Sequence, residues 1–172
     1  MRTLLIITFL ANIAFAFGSL PWQPEKIAVH FSLDGTAGRF ESPIVSAISM
    51  SIIVGIAAAV FIGLSALVSR SAHMPELFNM PNREYWLNDE NRPKTIRRIC
   101  SSIDMIGIGT MLFILFLQWE MFQANQRVPP ILRSYMLYAF GVFVTYIVFD
   151  QVRLYRLFCR LPEDGEPQEP QV

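Results

Sequence analysis

The chain has 172 residues, of which 53% are hydrophobic and only 16% charged, with 14 phenylalanines; this is too apolar for a soluble domain of that length. Fourteen basic residues against 14 acidic ones give a formal net charge of zero, which excludes the basic footprint of a nucleic-acid-binding protein. Two cysteines, Cys100 and Cys159, form no C-x-x-C or clustered pattern, so no cysteine-based metal centre is expected.

A bilayer core about 30 Å thick needs about 20 mostly apolar helical residues. Four stretches qualify: 3–20, 43–68, 103–121 and 135–154. The prediction is an all-α membrane protein, a four-transmembrane-helix bundle forming one domain over residues 1–160. Orientation follows from the basic residues, which favour the cytoplasmic side in short loops. Arg2, Arg70, Arg83, Arg92, Lys94, Arg97, Arg98, Arg153, Arg156 and Arg160 fall on one side; only Lys26, Arg39, Arg127 and Arg133 fall on the other. Both termini are therefore expected inside, with an ordered outer loop between the first and second spans.

The first span begins "MRTLLIITFLANIAFAFGS". Its basic start and Ala14-Phe15-Ala16 triplet also fit a cleaved signal peptide, the alternative to a retained helix. Asn12 is read as the one strongly polar group near the bilayer centre, a residue type that glues helices more often than it binds substrate.

The outer loop reads "EKIAVHFSLDGTAGRF" from Glu25 to Phe40. Ile27, Val29, Phe31 and Leu33 alternate with Ala28, His30, Ser32 and Asp34, the period of an extended strand. Asp34-Gly35 then reads as a turn and Gly38 as a second reversal. The expectation is a lid across the outer helix ends, apolar side down. His30 either pins it through Asp34, Arg39 or Glu120 or stands in solvent. A strand spacing of four separates His30 and Asp34 by roughly 13 Å, too far for a shared metal unless the turn folds back.

The segment "QPEKIAVHFSLDGTAGRF" resembles the N-terminal membrane domain of unknown function found in SdpI-type bacterial toxin-immunity proteins. Pro24, Ile27, His30, Phe31, Gly35 and Phe40 match that family's order, with Gln23 and Ala28 at positions where it usually has Leu and Pro. "NMPNREYWL", Asn79 to Leu87, resembles a segment of short membrane proteins carrying the domain. The resemblance implies a small multi-pass protein of the bacterial cytoplasmic membrane. It implies no particular chemistry.

In the second span Ala47, Ser51, Gly55, Ala59 and Gly63 recur every fourth residue, a small-residue stripe on which another helix can approach closely. An intramolecular groove is expected, a homodimer seam being the alternative; Gly107 and Gly109 offer a similar approach in the third span. The inner loop, broken by Pro75, Pro81 and Pro93, carries Asn82, Arg83, Tyr85 and Trp86. Tyr85 and Trp86 read as interfacial anchors, or the loop serves a cytoplasmic partner. Pro93 is expected at a first helical position, opening a helix that runs into the third span. Asp150 is expected to meet Arg153 three residues on, and Asp104 to meet Arg97 or Arg98. The acidic tail 161–172, with three prolines, cannot bury a core and is predicted to be disordered.

Functionally, the sequence points to a non-enzymatic binding, sensing or immunity-like membrane module. Its outer-loop residues Pro24, Ile27, His30, Phe31, Asp34 and Gly35 would recognise a peptide, lipid or partner subunit, without cofactor or metal. The alternative from another class is a small membrane metalloenzyme or transporter using His30, Asp34 and Glu120.

Overall fold

The computed structural model describes residues 1–32 and 34–161; the predicted disorder of the tail concerns residues that, Leu161 apart, lie outside these. It is 72% helical. Helix α1 spans Arg2–Gly18, α2 Pro43–Arg70, the one-turn α3 Arg83–Trp86, α4 Arg92–Asn125 and α5 Met136–Cys159. Four helices are long and apolar enough to cross a membrane, the makeup of a multi-pass membrane protein.

Local chemistry sets several boundaries. Ser42 caps α2 by accepting from the Val45 N–H at 3.4 Å, with Pro43 in the first turn, where its missing N–H is no loss. Pro93 lies in the first turn of α4, as expected. That helix begins 11 residues before the apolar stretch, because "RPKTIRRI" favours helix despite its charge.

Helices α1, α2 and α4 pack around Leu5, Val54, Ala58, Ile108 and Met111. Among the described residues α5 packs chiefly on α4. Only 6% of its most apolar stretch is buried, against 28% for α4, so the bundle is a three-helix core with a fourth helix laid on one side.

The small-residue stripe of α2 requires correction. Ala59 and Gly63 are exposed, Ser51 and Gly55 are half-buried, and a Cβ at Gly55 or Gly63 would meet nothing within 4 Å. Of the stripe only Ala47 is buried; the other buried residues of α2 are Val54, Ala58 and Ser65, and Val54 and Ala58 pack with Leu5 and Met111 in the core. Close approach occurs in α4. A Cβ at Gly107 would lie 2.9 Å from Phe61 Cγ and 3.0 Å from Leu5 Cδ1, and one at Gly109 2.6 Å from Tyr146 Cε1.

The predicted pairing of Asp150 with Arg153 is present at 3.7 Å, and Asp150 also accepts from Ser102 Oγ, joining α5 to α4. Tyr146 Oη donates to the Met105 carbonyl at 2.9 Å, and Phe113 stacks on Phe143 with centroids 4.4 Å apart. Asp104 departs from expectation: among the described residues it makes no ion pair with Arg97 or Arg98, and its buried Oδ1 has no hydrogen-bond partner.

Candidate functional site: a hairpin clamped on the bundle end

Between α1 and α2 the chain forms an antiparallel hairpin of β1, Ile27–Phe31, and β2, Ala37–Glu41. The predicted turn is there: Gly35 has φ +85°, a left-handed conformation that glycine adopts without strain. Asp34 Oδ1 accepts from the Thr36 N–H at 3.0 Å and from its hydroxyl at 2.7 Å. Those two bonds, the backbone one first, hold the Asp34 carboxyl below its ordinary range.

Strict alternation does not survive in β1. The register shifts between Ala28 and His30 and again between His30 and Phe31, and the neighbours Ile27 and Ala28, in regular register with Glu41 and Phe40, are both buried. The reason lies 97 residues away. The Asn125 carboxamide accepts from the Ala28 N–H at 2.6 Å and donates to the Ala28 carbonyl at 3.0 Å, reproducing the paired bonds of a neighbouring strand. A third bond, from Asn125 Nδ2 to the Met121 carbonyl at 2.9 Å, fixes the side chain to its own helix. The turn is held as well. The Leu132 N–H donates to the Gly35 carbonyl at 2.9 Å, Thr36 bridges Ile131, and a Cβ at Gly35 would collide with the Leu132 carbonyl.

His30 faces Arg39 across the strands, is exposed and makes no side-chain hydrogen bond among the described residues. Its proposed partners are otherwise engaged: Asp34 with Thr36, Arg39 with Glu41 at 3.3 Å. Pinning therefore falls to Asn125. Pro24 is exposed and Phe31 half-buried. Glu120 is buried at 4% exposure and is not gathered with His30 and Asp34 into a metal-binding group among the described residues. Nearby in sequence, the Arg133 guanidinium is held above its ordinary pKa first by its hydrogen bond to Tyr135 Oη.

Beneath the hairpin is a cavity of about 40 Å³ whose lining includes Gln23, Ile27, Gln118 and Asn125. That volume suits one or two water-sized groups, far from the few hundred Å³ of a substrate pocket. The polar lining continues inward: Gln118 Nε2 donates to Asn12 Oδ1 at 2.7 Å, and Asn12 Nδ2 donates to the carbonyls of Thr8 at 2.8 Å and Met111 at 3.0 Å. Asn12 is the predicted helix glue. It is not alone, however, because Gln118 shares the buried site, a partner that a hydropathy window averages away.

At the opposite end, the loop motif splits. Asn82, in the left-handed region at φ 50°, donates through Nδ2 to the Phe158 carbonyl at 2.9 Å, and Trp86 Nε1 donates to the same oxygen at 3.0 Å. Trp86 is thus buried against Phe158, centroids 5.5 Å apart, which corrects its reading as an interfacial anchor. Thr95 Oγ1 donates to the Trp86 carbonyl at 2.8 Å, tying the loop to α4. Pro81 is half-buried; Arg83 is exposed and Tyr85 half-buried, both beside an open groove.

Comparison of the chain with protein-family models, curated proteins and solved structures finds no match.

Proposed function

We propose that the protein is a non-enzymatic binding module of the bacterial cytoplasmic membrane, with both termini and the Ser69-to-Ser101 loop inside and the hairpin outside. The basic-residue asymmetry supports that orientation, and the resemblance to the domain of SdpI-type immunity proteins supports the setting. The observation that carries the binding role is the Asn125 clamp: it occupies the free edge of β1 at Ala28, while β2 pairs, among the described residues, only with β1, the bridge at Thr36 lying just before it. Phe40, 49% exposed, and Arg39 stand along that second strand on a fixed platform. An unpaired strand edge is a template for an extended segment, with backbone bonds supplying affinity and side chains supplying choice. The hairpin therefore recognises an extended peptide or a partner subunit presenting one.

Two measurements test this. A cysteine replacing Gly38 should react with an impermeant thiol reagent in intact cells while one replacing Asn88 is protected; the opposite pattern reverses the orientation. A photo-crosslinking residue replacing Phe40 should form discrete protein adducts that one replacing Val142, on the exposed face of α5, does not. Lipid adducts alone from both positions would remove the recognition role.

A further inference from the structure

Ala28 turns both its N–H and its C=O toward Asn125, away from the second strand. In an antiparallel pair, opposite residues turn these groups the same way, both toward each other or both outward. Phe40 lies opposite Ala28, so its own N–H and C=O point to the open edge of β2. On either side of it, Arg39 and Glu41 pair with each other at 3.3 Å on one face of the strand, and Phe40, 49% exposed, takes the other face. Gly38 and Arg39 are exposed as well, and among the described residues no third strand covers this edge. Ile27 lines the cavity beneath the hairpin together with Ser19, Pro43 and Asn125, at the ends of α1, α2 and α4, so one face of the sheet rests across the helix ends.

We propose that this edge receives β2 of a second copy of the chain, antiparallel, with Phe40 opposite Phe40. The inference rests on the proposed role of β2 as a template and names the segment it takes. The edge is self-complementary about Phe40. In that register Phe40 of each copy exchanges both backbone bonds with Phe40 of the other. Arg39 of each stands opposite Glu41 of the other, so the intrachain pair extends into a ring of two cations and two anions. The two phenylalanine rings meet on the opposite face, each covering apolar area that the other exposes. Charge also selects the register, because sliding the strands by two residues sets Arg39 opposite Arg39 or Glu41 opposite Glu41, which repel. Symmetry fits the membrane too. The two-fold axis of an antiparallel pair stands perpendicular to the sheet, and a sheet lying across the helix ends sets that axis along the bundle, as two copies in one bilayer require.

The test uses the full chain in native membranes, with Cys100→Ser and Cys159→Ser removing the native thiols. Phe40→Cys should give a disulfide-linked dimer under mild oxidation, because directly opposite bonded residues have Cα atoms about 5.5 Å apart, within disulfide reach. Gly38→Cys should not, since in this register its two copies lie about 14 Å apart along the strands at about 3.4 Å per residue. Adding Arg39→Glu or Glu41→Arg to the Phe40→Cys chain should lower the dimer yield about threefold or more, each setting like charges opposite one another. Co-expression of those two variants, told apart by tags, should restore linkage between unlike copies alone. A merely structural role of the intrachain pair cannot give that rescue, because the pair stays broken in both chains. Linkage at Gly38 equal to that at Phe40, or the absence of selective rescue, would overturn the proposal. A photo-crosslinking residue replacing Phe40 should give an adduct of twice the chain mass. Adducts only to a different protein would sink the self-pairing and leave the template reading intact; adducts to lipid alone would remove both.

Discussion

The two ends of the bundle solve the same problem with opposite economy. At the hairpin end one side chain, Asn125, satisfies two backbone groups of Ala28. At the loop end two side chains, Asn82 and Trp86, converge on one carbonyl of Phe158. Both pin a connection to a helix remote in sequence, but the first has no substitute and the second has a spare. The hairpin end is also anchored to the three-helix core, whereas the loop end reaches α5, the helix that packs least. The Ala28 edge of the platform rests on that one side chain, while its turn is held separately by Leu132 and Ile131. A loosely packed helix held by duplicated bonds tolerates damage.

The comparison breaks most decisively at Asn125. Asn125→Ala leaves the buried Ala28 N–H and C=O without their partners, a cost of about 1–3 kcal/mol for each group. Amide exchange across Ile27–Phe31 should accelerate strongly while exchange in the middle of α2 changes little. Hairpin protection equal to that of the parent protein would mean that the turn contacts with Leu132 suffice alone.

The next effect separates the core from both ends. Gly107→Leu must displace Phe61 and Leu5 and should destabilise by about 1–3 kcal/mol. Gly55→Leu, pointing into open space, should stay within about 0.5 kcal/mol. Thermal denaturation in detergent compares them, and equal losses would restore the α2 stripe as a packing seam.

Redundancy at the loop end predicts smaller single effects and a coupled pair. Asn82→Ala or Trp86→Phe removes one bond to an oxygen that keeps another, costing about 0.5–1.5 kcal/mol, and the double variant should cost more than the sum as the buried carbonyl loses both. Strict additivity in a double-mutant cycle would show that the two bonds act independently.

The smallest effect is a pH dependence of the turn. The Asp34 carboxyl is lowered in the folded protein, first by the Thr36 N–H and then by its hydroxyl, so its contribution is complete above the ordinary carboxylate pKa of about 3.9. It is lost only as pH falls through the lowered folded value. Exchange at Thr36, corrected for intrinsic rate, should be flat from pH 7 to about 5 and rise below about 4, and Asp34→Asn should flatten that rise. A rise that Asp34→Asn leaves unchanged would remove the Asp34 carboxyl as its cause.

Much of this architecture was legible because it depends on local sums. Four apolar windows, the Asp34-Gly35 turn, Pro93 at the head of α4 and the Asp150–Arg153 pair each involve residues within one helix or turn. The site was less legible. His30 is the outer loop's one histidine and stands exposed, yet Asn125, an ordinary amide near a helix end, does the holding. Its partner lies 97 residues away, and a carboxamide that completes a strand edge carries no local pattern. Trp86 resembled an anchor because tryptophan favours interfaces; only the docking of the loop on Phe158 made it a buried donor.

By itself the sequence determined that four helices can cross a membrane and that an extended segment with a tight turn joins the first two, because hydropathy and turn chemistry act within a few residues. Only the tertiary structure decided that three helices form the core and the fourth lies beside them. It also decided that the α2 glycines point away from that core, and that Asn125 and Gln118 are the polar groups completing the hairpin and the Asn12 network. Those outcomes depend on which faces meet and which buried donors find acceptors, and such pairings exist only once distant helices are packed together.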